Sequence, residues 1–289
     1  MPNLIEEYSY NPGSHTAQPR ELLQISDGDT PVIQQPIRMV SCDTPEKAGY
    51  AGKPETSQPK LDQCRSRLES DFYPEIPGPL REYLLAKLTP DAAKNHIDAG
   101  NRATDVFNAT LEERLTRSDG KKRKTGIIPS GEIIDRYGRL LAYITPWYSN
   151  TESDPLPPVG APERHTFNLN MIENGWAAFF PIYPSLPKRK DDWLLAVNAA
   201  ESAWINKRGA WEEFGEQILV GYEYRLCIKL GTEDTAQKGM EKAFQRHCVD
   251  IRTSQIKGLC GFWEVPPCYR LWVWDDDLDK AKVDLKLID

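Results

Sequence analysis

Apolar and polar positions first fall into a regular pattern at Leu22-Leu23-Gln24-Ile25-Ser26-Asp27-Gly28-Asp29. Strand side chains alternate faces, so Leu23, Ile25, Asp27 and Asp29 share one. Apolar residues followed by acids on that face predict a strand running from a core to an open mouth, where Asp27 and Asp29 converge. Residues 32–42 read as a short hairpin turning near Gln34-Gln35-Pro36, with a second strand through Ile37–Ser41. Arg38 and Asp43 are five apart and face opposite ways on a regular strand. The strand must therefore end or bulge before Asp43 if both serve one site. Asp43-Thr44-Pro45-Glu46 fits such an end, because Pro45 forbids ladder pairing.

Further along, residues 47–79 are rich in Pro, Gly, Lys and Ser and read as a surface excursion. Leu80, Leu84 and Leu88 mark a short helix. Thr89-Pro90 reads as the cap and first turn of another. Ala103, Phe107, Leu111 and Leu115 make an apolar stripe on a helix of about 101–116. Strand segments follow around Pro129-Ser130-Gly131 and at Leu140–Thr145, then a proline-rich loop over 146–165. Residues 166–174 form a short helix ending at Gly175. Trp176–Phe180 is an apolar strand, and the helix 190–208 closes at Gly209. Beyond 220, Tyr222–Leu230 alternates like a strand. Residues 234–248 read as a helix, and 257–263 and 268–275 as strands. Trp272 and Trp274 share a face, best explained by packing on a sheet or a neighbouring element.

The chain has 289 residues with 39% hydrophobic, enough for one large domain or two small ones. Its net charge is −7. A broad basic surface for nucleic acid is excluded, so any such contact is local. Lys121–Lys124 and Lys188–Lys190 are the two basic runs available, each equally readable as a solvated loop. The N-terminus carries no apolar run, and no stretch is long and apolar enough to span a membrane. An intracellular location is expected, secretion remaining open if a leader preceded this numbering. The cysteines Cys42, Cys64, Cys227, Cys248, Cys260 and Cys268 lack paired metal spacing and read as free thiols.

Charge gives the chemistry. Residues 27–46 hold Asp27, Asp29, Asp43, Glu46 and Arg38. Carboxylate oxygens suit hard cations, calcium or magnesium, and a guanidinium fork suits phosphate. Together they point to phosphodiester chemistry. Downstream come Asp135-Arg136-Tyr137-Gly138-Arg139-Leu140-Leu141-Ala142-Tyr143, then Asn174-Gly175-Trp176-Ala177 and a closing helix. This ordered set closely resembles the thermonuclease family, of staphylococcal nuclease type, over about residues 22–213.

The resemblance implies an α+β chain with an OB-like five-stranded β-barrel and three main helices. It divides the chain into an arm (1–21), a barrel domain (22–215, with insertions at about 47–98 and 146–165) and a small C-terminal α+β unit (220–289) of unrecognised kind. It implies a calcium-dependent nuclease on DNA or RNA, leaving 3′-phosphate ends, with magnesium or another divalent cation as a substitute. Asp29, Asp43 and the Thr44 carbonyl are the implied metal ligands, with Asp27 close by. Arg38 and Arg139 are the implied phosphate clamp, and Glu46 orients or deprotonates the attacking water. Arg136, Tyr137 and Tyr183 fall where the family contacts nucleotide. The alternative is a non-catalytic scaffold binding nucleic acid or protein on the same barrel. No protein partner or membrane role is implied.

Overall fold

The computed structural model describes residues 19–289, so most of the arm expected over 1–21 lies outside the described residues. The class is α+β. Strands β1 (Leu22–Asp27) and β2 (Thr30–Ile33) form a hairpin turning at Gly28-Asp29. The expected turn at residues 34–36 is instead the link into β3 (Ile37–Met39). The hairpin pairs only with itself, and Leu23 and Ile25 are more than half exposed. Its alternation is therefore genuine, but among the described residues no core covers the apolar face.

β3 runs parallel to β6 (Leu140–Trp147), which pairs antiparallel with β5 (Lys124–Ile134). β5 shifts register between Pro129 and Ile134, around the Pro-Ser-Gly break expected there. β4 (Ser41–Asp43) leaves β3 and pairs instead with β7 (Ala178–Phe180). The strands of this half thus form a three-stranded sheet, a two-stranded pair and a separate hairpin, not one continuous five-stranded ladder.

The excursion expected over 47–79 is largely helix: α1 spans Pro54–Glu69. Pro54 sits in its first turn, where a missing N–H costs nothing, and Leu61, Cys64 and Leu68 give it a buried stripe. α2 covers Gly78–Lys87. α3 runs unbroken over Ala92–Leu115, absorbing the two shorter helices expected across 90–116. α4 (Phe167–Glu173), α5 (Lys190–Ile205) and α6 (Ala210–Phe214) complete the matching half.

Residues Gly221–Thr232 form helix α7, not the strand their alternation predicts. The helix is buried on most of its surface, and only Arg225, Lys229 and Thr232 mark its 3.6-residue period. Glu223 reaches back to accept from the Val220 N–H and fixes its start. α8 (Ala236–Ala243) leads to β8 (Arg246–Asp250), β9 (Gln255–Gly258) and β10 (Arg270–Trp274), with β8 central, and α9 (Leu278–Leu285) closes the chain.

The largest core cluster draws on both halves. It joins Leu61 and Leu68 of α1, Leu80 and Leu84 of α2, Phe180 of β7, Leu226 and Leu230 of α7, and Trp272 of β10. Trp272 is fully buried, as the packing reading of the tryptophan pair requires. Its backbone N–H donates to the Pro181 carbonyl, and its backbone carbonyl accepts from the Tyr183 N–H, so the chain after β7 runs alongside β10. No helix among the described residues is long and apolar enough to cross a membrane.

Candidate active site

Arg38 is set by β-sheet register, opposite Leu141 in the parallel β3–β6 pair. Arg139 lies two residues before Leu141, at the end of the turn that leads into β6. Its direction is fixed by the preceding turn. The Asp135 carboxylate accepts from the N–H groups of Tyr137 and Arg139 at 2.9 Å each, and from the Arg139 side chain at 2.7–2.8 Å. Gly138 closes this turn at φ 74°, a conformation glycine adopts without strain. Both guanidinium groups keep about a third of their surface in solvent, 32% for Arg38 and 39% for Arg139.

The break expected before Asp43 occurs at Val40-Ser41. Ser41 has φ 60°, the left-handed region that a serine enters only under constraint. Its hydroxyl is held by Tyr143 Oη at 2.7 Å. The reversal swings Asp43 back toward Arg38, whose Nη2 reaches Asp43 Oδ1 at 2.8 Å. Asp43 is buried, with 1% of its side chain exposed. Residues 44–46 then thread between two helices at glycines. A Cβ on Gly100 of α3 would stand 2.5 Å from the Glu46 carbonyl oxygen. One on Gly221 of α7 would stand 2.7 Å from the Thr44 carbonyl and overlap the Asp43 carboxylate.

Two further residues hold this loop, and neither was anticipated. His96 of α3 is fully buried; its Nε2 accepts from the Glu46 N–H at 2.7 Å and its Nδ1 faces the Leu219 carbonyl at 2.7 Å. A neutral ring with its proton on Nδ1 satisfies both bonds. Burial pushes its pKa down to about 3, against the bond to Leu219, which raises it. The second is Arg225 of α7. Its Nη2 meets Asp43 Oδ2 at 2.8 Å, and its Nη1 donates to Glu46 Oε1. Burial pushes the Asp43 carboxyl up, but Arg225 and Arg38 outweigh it and hold the pKa at about 2. Arg225 carried a sequence signal: Glu223, Arg225 and Lys229 interrupt an apolar run, as charges do when buried and paired.

These donors do not fit a calcium site as implied. Each Asp43 oxygen already accepts from a guanidinium, and α7 lies against the Thr44 carbonyl. Asp27 and Asp29 stand exposed on the β1–β2 turn, where Asp29 contacts the Thr30 hydroxyl and its N–H faces Asp27. No hydrogen bond or ion pair joins either to Asp43 among the described residues. Nor do three His, Cys, Asp or Glu side chains gather there closely enough to hold a metal ion.

The rim of the site is cationic and aromatic. Arg136 is exposed, and Tyr137 is 59% exposed, with Arg136 at 5.0 Å and Arg139 at 5.3 Å over its ring. Tyr50, from the excursion, is 42% exposed; burial raises its phenol pKa, with Arg225, Glu46 and Tyr137 close enough to act on it. Lys229 lies one turn beyond Arg225 on α7. Burial pulls its pKa down to about 8, reinforced by Arg246, Arg225 and Arg136. Arg246 lies over the Trp274 ring at 3.8 Å, and its buried Nε has no hydrogen-bond partner. Tyr183 is not part of this rim. It is 5% exposed in a cluster with Val249, Leu271 and Val273, and its hydroxyl donates to Asp284, which leaves no face for a nucleotide.

The family model described as staphylococcal nuclease homologue matches residues 36–213. A search of curated proteins returns no match.

Proposed function

The chain belongs to the staphylococcal nuclease homologue family, and on that premise we propose that it is a hydrolase of phosphodiester bonds in DNA or RNA. The observation that supports this reading is the cluster in which Arg38 meets Asp43 and Arg225 joins Asp43 to Glu46, with Arg38 and Arg139 each about a third exposed to solvent. A phosphodiester resists attack because its own charge repels a nucleophile. Two guanidinium forks neutralise that charge and stabilise what builds up in the five-coordinate transition state, each contributing on the order of 3 kcal/mol. Glu46 is the group suited to take the proton of the attacking water. Its backbone is held by His96 and its carboxylate by Arg225. Tyr137 and Tyr50 offer exposed rings on which unpaired bases stack. Arg136, Lys229 and Arg246 supply the local positive charge that an acidic protein needs to hold a polyanion.

The family resemblance implies calcium and 3′-phosphate ends. The same product ends are expected of this chain, but the donors around Asp43, both of whose oxygens meet a guanidinium, do not fit a divalent cation. A second reading has one observation in its favour. Arg225 engages both Asp43 and Glu46, as in a site kept for binding rather than cleavage. The two readings separate on incubating the pure protein with single-stranded DNA, duplex DNA and RNA. Each substrate is tested with calcium, with magnesium and with a chelator, and product ends are analysed. Cleavage to 3′-phosphate ends is expected. Retention of oligonucleotide without cleavage under every condition leaves the binding scaffold.

A further inference from the structure

The match to the family ends at residue 213, yet a side chain twelve residues later lies between the two carboxylates of the site. The geometry of α7 explains how it gets there. Gly221, with no Cβ, lets the first turn of the helix lie directly on Asp43 and Thr44. Arg225 is four residues on, and so on the same face one turn later. Helical side chains lean toward the N-terminus, which carries its guanidinium back over Gly221 to Asp43. One fork arm takes Asp43 Oδ2 and the other takes Glu46 Oε1. Arg38 takes the remaining Asp43 oxygen. Two carboxylates thus meet two guanidinium groups, and the cluster is already neutral. A dication added to it would bring an uncompensated double charge into a site whose Asp43 is buried, at a large desolvation cost.

We propose that Arg225 is the resident cation of this site: it occupies the Asp43 oxygen that the implied divalent metal would otherwise take, and bridges it to Glu46. The C-terminal segment therefore completes the site, and calcium is excluded from it. A guanidinium bridging two carboxylates differs from a metal in one respect that matters. It offers no open coordination position for water. Arg225 is thus a positioning residue, aiming Glu46. That role rests on the hydrolase reading, whereas the exclusion of calcium does not.

The test is cation binding, followed by calorimetric titration with calcium chloride and by terbium luminescence sensitised by nearby tyrosines. Wild-type protein is expected to show no calcium site that Asp43→Asn removes. Arg225→Gln is expected to gain one, binding at least about tenfold tighter than wild type, and to lose it again when Asp43→Asn is added. Oxygen ligands of this kind bind calcium in roughly the 0.1–1 mM range or tighter. Should the glutamine variant fail to fold by circular dichroism, Arg225→Met replaces it, which keeps an apolar stem on the helix and removes the charge, so calcium binding should again appear. An Asp43-dependent calcium site in the wild type overturns the proposal. So does a folded Arg225 variant that binds no calcium. If no cleavage is found with any metal, the hydrolase reading fails, while the calcium titrations still decide the role of Arg225.

Discussion

Arg38 and Arg139 illustrate how far single residues could be read. The phosphate clamp proposed for them was read from charge and order alone, and register then puts Arg38 opposite Leu141, two residues after Arg139. Arg38→Ala and Arg139→Ala are each expected to lower cleavage about 10²–10³-fold without changing the circular dichroism spectrum. Lysine at either position should restore little, because a point charge lacks the fork. An unchanged rate in both alanine variants would remove the clamp. His96 was not legible, since nothing local marks a histidine that acts only through two backbone groups. Replacing it with alanine leaves the Glu46 N–H without its acceptor. A loss of about 1–3 kcal/mol in urea unfolding is expected. Asp29 was misplaced for the opposite reason. Its motif is present, but among the described residues the hairpin carrying it joins no sheet that would bring it to Asp43.

Among the elements, the β3–β4 break was predicted from parity, and Ser41 supplies it. α7 was misread because Tyr222, Tyr224, Leu226, Ile228 and Leu230 alternate while Cys227 and Gly231 are also buried. The polar stripe that marks its helical period, Arg225, Lys229 and Thr232, is short beside that apolar alternation. That helix makes a pH prediction. The Lys229 pKa, held down near 8 by burial and by three arginines, should rise when a phosphate binds beside it. Binding then takes up protons, so affinity falls as pH rises through 8. Fluorescence anisotropy with a labelled oligonucleotide between pH 7 and 9.5 should show this fall in wild type. A clearly shallower fall is expected for Lys229→Ala, and equal slopes would exclude Lys229 from the interface.

At the scale of the whole molecule, α7 and β10 are bound to α2 by a buried charge cluster. Glu223 meets Lys87 at 2.7 Å, Arg270 at 2.9 Å and the Tyr83 hydroxyl at 2.5 Å. Burial pushes its carboxyl up, but Lys87 and Arg270 outweigh it and hold the pKa at about 2. A carboxylate depressed in the folded state stabilises above its unfolded pKa, and that stability is lost as pH falls toward 2. Glu223→Gln leaves two buried cations without their counter-ion and should cost about 3–5 kcal/mol at pH 7. The cost should shrink in urea titrations taken at progressively lower pH, and a pH-independent difference would contradict the ionised pair.

The sequence led to a barrel half and a C-terminal unit beginning near 220, because the family motifs stop there. It held no sign that Leu226, Leu230 and Trp272 share a core with Leu61, Leu84 and Phe180, since such contacts are set by tertiary packing and not by any local period. The site opened as a stretch of acids with one arginine and is now a cluster that α7 closes from outside the matched span. Ending the chain after residue 213 tests that directly, by urea unfolding and oligonucleotide cleavage on the same sample. The shortened chain should show no cooperative transition and no cleavage. A cooperative transition with cleavage at the full-length rate would mean that the segment carrying Arg225 is an appendage and not part of the active body.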